Sequence, residues 1–138
     1  MACARLDGTT GRVWENRYKA FPIQDDRHLL TVLRYVERNA LRANLVRCAE
    51  DWQWSSLNWR CRARPPVKLQ ESPVKLPSDW VQLVNAPQTE EELAAVRNAV
   101  NRQCPFGGAD WIVRTAMEFG LEQTIAPLGR PRLMAGRK

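Results

Sequence analysis

The chain has 138 residues, 44% of them hydrophobic, and a formal net charge of +6. That length suits one domain, or a small domain with an appendage. No apolar run approaches a membrane span, and the opening "MACARLDGTT" lacks the apolar centre of a secretory leader, so a soluble, cytoplasmic protein is expected. The positive charge is carried by 17 arginines against 4 lysines. Arginine presents a flat, forked donor set that suits phosphates and base edges, so an anionic partner is expected, nucleic acid first. A GC-rich genome produces the same bias without any such partner. The single histidine and the four cysteines, none in CxxC spacing, argue against a zinc site and for reduced thiols.

In chain order, "RVWENRYKAFPI" (12–23) has the loose alternation of a strand, ended by Pro22. Asp25 or Asp26 is placed to cap a helix running to about Val46. "AEDWQWSSLNW" (49–59) is turn-rich, and its tryptophans are expected to pack against that helix rather than stack on bases. The segment 61–87 carries five prolines and reads as an extended linker. Thr89 with Glu92 forms a capping box before an apolar stripe of Leu93, Val96 and Val100. "CPFGG" breaks that helix. Asp110 is expected to cap another, Trp111 to Phe119, which Gly120 stops. The two helices fit a small DNA-binding unit with Arg97, Arg102 and Arg114 toward phosphates, and equally a hairpin that simply packs on the domain. The tail from Pro127 is basic, with Arg130 and Arg132 available to phosphates. The expected division is a partial domain over 1–60, a linker over 61–87, a helical extension over 88–126 and a basic tail over 127–138.

The first helix carries the chemistry. At about 100° per residue, Leu29, Val32, Leu33, Val36, Ala40 and Ala43 share one broad face, the expected core side. With Tyr35 as zero, Asn39 lies about 40° to one side and Arg42 and Arg38 about 20° and 60° to the other. Arg34 flanks them. Like charges at spacing four repel by a few tenths of a kcal/mol per pair on an isolated helix, so the row serves something other than helix stability. An anion lying along it is one reading. A boundary tyrosine among solvated arginines is the other.

"RVWENRYKAFPIQDDRHLLTVLRYVERNALRANLV" with "DWQWSSL", and later "CPFGGADWIVRTAMEFGLEQTIAPLGRPR", resembles the C-terminal half of the REP-associated tyrosine transposases. These are single-tyrosine relatives of the His-hydrophobe-His transposases, and the likeness runs over nearly the whole chain. It implies a mainly α chain with one or two residual strands, the C-terminal part of an α+β ferredoxin-like domain plus a helical extension. It also implies that Tyr35 is the nucleophile that cuts single-stranded or hairpin DNA and stays joined to the 5′ phosphate. Asn39 stands where a ligand of the family's divalent metal (Mg or Mn) can stand. Arg34, Arg38, Arg42, Arg130 and Arg132 are the DNA-contacting candidates.

The departures are specific. The family's two metal-binding histidines are absent, since His28 is no part of a His-x-His motif and reads as structural. Ala40 stands where a proline is usual, which predicts a straighter helix. The expectation is therefore a truncated or split transposase that binds DNA and is inactive alone, with a histidine-bearing half as its possible partner. A non-catalytic DNA-binding protein or a functionless remnant are the alternatives.

Overall fold

The computed structural model describes residues 19–127 and 129, and over these the chain is mainly helical with no sheet. Helix α1 spans Asp26–Glu37, starting where the Asp25 side chain accepts the His28 backbone N–H at 3.0 Å. The His28 ring nitrogen lies 2.6 Å from the same carboxylate and its ring meets Phe106 edge-on at 5.4 Å. A turn at Arg38 separates α1 from α2, Asn39–Arg42. The expected single helix to Val46 is thus two, and it ends earlier. Asn44 adopts φ 56, and the Leu45 N–H returns to the Ala40 carbonyl at 3.0 Å, closing the helix with a left-handed turn. Asn tolerates that conformation better than most residues because its short amide bonds locally.

The strand expected over 12–23 is not present over its described part. Only Ile23 forms an isolated parallel bridge, with Phe106, extended by Gln24 N–H to Phe106 O and Phe106 N–H to Pro22 O. Residues 12–18 lie outside the described range.

A 3₁₀ turn, Ala49–Asp51, leads to α3, Ser56–Cys61, capped by Ser55. The segment expected as a linker contains α4, Trp80–Asn85, and supplies core: Val74, Trp80 and Val84 are all buried. Its prolines punctuate the approach to a helix instead of keeping the segment extended. Helix α5, Glu90–Arg102, begins with the predicted box, Thr89 and Glu92 exchanging side-chain bonds with each other's N–H. Gln103 ends it at φ 56. Helix α6, Ala109–Phe119, starts from Gly108 rather than Asp110, because the Asp110 side chain makes no cap bond. Gly120 ends it at φ 66, as the sequence predicts. A short α7, Glu122–Ile125, follows.

Two apolar clusters flank α1. One joins Ala49, Leu57, Trp80 and Val84 with Leu30, Leu33 and Leu41. The other joins Val96, Ala99, Cys104 and Phe106 with Phe21, Val32 and Tyr35. Helix α1 is therefore shared, and the core does not respect the boundaries expected at 60/61 and 87/88. Among the described residues, no helix is long and apolar enough to cross a membrane.

Candidate nucleic-acid interface

The expected core face of the Tyr35 helix is rotated. Val36 and Ala43 are exposed, Val36 at 59%. The buried centre instead falls on Glu37 and Ala40, flanked by Leu30, Leu33 and Leu41, which lie about 140° to 240° from Tyr35. The arginine row explains the rotation. Arg34 donates from Nε to the Leu83 carbonyl at 2.7 Å and from Nη2 to the carbonyls of Ala86 at 2.8 Å and Pro87 at 3.0 Å. Arg38 donates from Nη1 to Val84 O at 2.8 Å and to Asn85 O. The end of α4 would otherwise leave these carbonyls without donors, and it carries the negative end of the helix dipole. Two guanidinium groups flanking Tyr35 thus close α4 onto α1, and only Arg34 has a carboxylate near, Glu92 at 3.7 Å. Burial, then the charges of Arg34 and Arg42, hold the Arg38 pKa below its usual value. These two side chains are engaged with protein carbonyls and do not form the open anion ridge expected of them.

Arg42 is placed differently. Its guanidinium carbon lies 4.1 Å from the Tyr35 ring centroid. Its Nη2 donates to Asn39 Oδ1 at 2.8 Å, and its Nη1 reaches the Tyr35 carbonyl at 3.4 Å. Arg42 makes no ion pair with a carboxylate among the described residues. Tyr35 is half-buried, its ring against the Val96–Phe106 cluster, and Asn39 is exposed. The adjacency of Tyr35, Asn39 and Arg42 expected from helical spacing is therefore present.

Guanidinium has donors only, so the oxygen of the Asn39 amide must face Arg42 and its NH₂ must face away. That oxygen is the atom that would ligate a cation, and a cation already occupies its side. No cluster of three His, Cys, Asp or Glu side chains capable of holding a metal exists among the described residues. The described residues around Asn39 do not fit a divalent metal site.

Three features were not expected from sequence. Glu37 is buried, with one oxygen accepting from Ser56 Oγ at 2.5 Å and the other from Trp80 Nε1 at 2.7 Å, and Arg60 lies 3.8 Å away. Its position four residues after Leu33 and three before Ala40 was the legible signal, since a carboxylate on an apolar stripe needs buried donors. Trp54 is 67% exposed, whereas Trp52 and Trp59 are half-buried against the fold. Finally, a cleft of about 310 Å³ opens between α1–α2 and the Trp52–Ser56 segment, with Val36, Asn39, Ala43, Leu45 and Trp54 in its lining.

In the extension, Arg97 and Arg114 are exposed. Arg102 is tied to α7, donating to the carbonyls of Gln123 and Ala126. Helix α5 packs chiefly on α1, and α6 on α7, so the pair serves the fold more than it forms a free two-helix unit. Arg130 and Arg132 lie outside the described residues. Cys48, Cys61 and Cys104 are free thiols. Burial, then Glu50 and Glu37, raise the Cys61 pKa. No family model, no curated protein and no solved structure matches this chain.

Proposed function

We propose that this chain is the tyrosine-bearing, C-terminal portion of a single-tyrosine transposase. In this reading it is cytoplasmic, binds single-stranded or hairpin DNA, and depends on a histidine-bearing half for cleavage. The observation that carries the proposal is the corner of Tyr35, Arg42 and Asn39: a half-buried phenol, a guanidinium with no carboxylate partner over its ring, and a carboxamide held beside both. Arg42 offers a backbone phosphate the donors that Tyr35 and Asn39 leave unused. The resemblance quoted above adds the identity of the nucleophile. In the proposed step Tyr35 Oη attacks phosphorus and a new O–P bond forms. The phenolic proton passes to solvent, and the 3′ oxygen leaves as a hydroxyl once protonated. Arg42 neutralises charge on the phosphoryl oxygens as it builds.

One observation favours a second reading, DNA binding without cleavage. The Asn39 oxygen faces Arg42, so the side chain that would complete a metal site is oriented to hold an arginine.

One experiment separates the two. A labelled DNA hairpin is incubated with the chain alone and with a separately expressed segment carrying a His-x-His pair. The proposal predicts retention on a native gel in both cases. It also predicts a detergent-resistant adduct only when both halves are present, lost in Tyr35→Phe. Retention with no adduct assigns the binding reading. Absence of retention at low salt contradicts both.

A further inference from the structure

The cleft beside the Tyr35–Arg42 corner has the chemistry of a site for one unpaired base. One wall is the Trp54 indole, 67% exposed, in a chain whose other described tryptophans are buried or half-buried. The opposite wall is the α1–α2 face, with Val36 and Ala43 uncovered and the buried Ala40 between them, and with Leu45 at the mouth at 62% exposure. Asn39 lies on the rim, and its oxygen is held by Arg42, so the group it offers to the cleft is an NH₂ with two donors. The acid at the base, Glu37, is spent on Ser56 and Trp80 and faces Arg60, so it presents little uncompensated negative charge to an anionic strand. Arg42, bonded to the rim residue Asn39, supplies positive charge beside the opening. The volume, about 310 Å³, is at the small end of ligand clefts.

We infer that this cleft takes the base of a nucleotide whose phosphate lies at Arg42, the base stacking on Trp54 with its carbonyl edge on Asn39. The inference rests on the DNA reading proposed above and adds a base preference to it. A donor-only amide suits bases that carry exocyclic carbonyls, such as thymine and guanine. Adenine accepts from such an amide only at a ring nitrogen, with its exocyclic amine a competing donor alongside.

The test is fluorescence anisotropy of labelled single-stranded oligonucleotides with the full chain. One set varies a single position among thymine, adenine and an abasic sugar, and each is measured on wild type, Trp54→Ala and Trp54→Phe. Stacking contributes about 1–3 kcal/mol per base, so Trp54→Ala weakens binding roughly 5- to 150-fold and Trp54→Phe recovers most of it. The abasic oligonucleotide loses a similar factor on wild type and little further on Trp54→Ala. Thymine binds tighter than adenine, and Asn39→Ala removes that difference. Trp54 is exposed, so these variants leave the core intact, which circular dichroism verifies. Tight binding that is indifferent to the abasic position and to Trp54→Ala overturns the inference and leaves the DNA reading standing. No binding to any oligonucleotide overturns both. A change of sedimentation from dimer to monomer in Trp54→Ala assigns the cleft to protein contact and also overturns the inference.

Discussion

Arg38 and Arg42, one helical turn apart, are set to different tasks by what lies beneath them. Arg38 meets two carbonyls at the end of α4, and Arg42 meets an aromatic ring and an amide. Removing Arg38 leaves the Val84 and Asn85 carbonyls without their charged donor. Arg38→Ala is therefore expected to cost about 2 kcal/mol in urea denaturation, with Arg38→Lys recovering only part, because an ammonium can serve both carbonyls as Nη1 does but sits on a shorter stem. Arg42→Ala removes no buried partner and should leave stability within about 0.5 kcal/mol. Gln88 offers the opposite case. Its amide is 7% exposed, and neither its nitrogen nor its oxygen has a partner among the described residues. Gln88→Met keeps the volume and removes that desolvation cost, so the denaturation midpoint should rise by about 1 kcal/mol equivalent. The helical period by itself makes Tyr35, Asn39 and Arg42 neighbours. It does not reveal that Arg34 and Arg38 find acceptors 52 and 46 residues further along, because periodicity reports only contacts within one helix.

Helix ends follow local chemistry where the signal is local. The Thr89–Glu92 box and the Gly120 stop are where the sequence places them, since each is complete within a few residues. Gly120 is in the αL conformation, and a side-chain methyl there would meet nothing within 4 Å, so Gly120→Ala is a clean probe of backbone strain. It should lower stability by about 1 kcal/mol, roughly 4 °C in Tm for a chain of this size, with no packing contribution. Asp25 caps α1 through the His28 N–H, and that bond, then the one to the His28 ring, lowers its pKa. The Asp25 contribution is therefore present above the usual carboxylate range and is lost as pH falls through the depressed value. Helix α4, like the short α3 and α7, was hidden from sequence. Its six residues follow a run of closely spaced prolines and carry only a single turn and a half of pattern, and it is long-range packing, Trp80 against Glu37 and Val84 against α1, that makes it a helix.

At the scale of the whole molecule, α1 is a beam with a core on each side. Since Leu33 serves one cluster and Val32 and Tyr35 the other, the clusters cannot melt separately without exposing α1. Helicity and tryptophan fluorescence should therefore report one coincident thermal transition, and two resolved transitions would refute the shared core. The mainly helical class was legible from period and caps. The division at 60/61 and 87/88 was not, because proline density reads as a linker whether or not the intervening Trp80 and Val84 are buried. On the remaining face, Val36, Leu45 and Trp54 stay open to solvent beside Arg42, the one arginine of the row whose acceptors all lie within the α1–α2 corner.

The most direct measurement is the affinity of the chain for a single-stranded DNA oligonucleotide as a function of salt, for wild type, Arg42→Ala and Arg38→Ala. A log–log plot should fall steeply with salt for wild type. Arg42→Ala should flatten that slope by about 0.7, one phosphate contact on a single strand, while Arg38→Ala, once folded, should keep it. An affinity that does not respond to salt, or an Arg42→Ala slope equal to that of wild type, would contradict a DNA backbone at the Tyr35 corner.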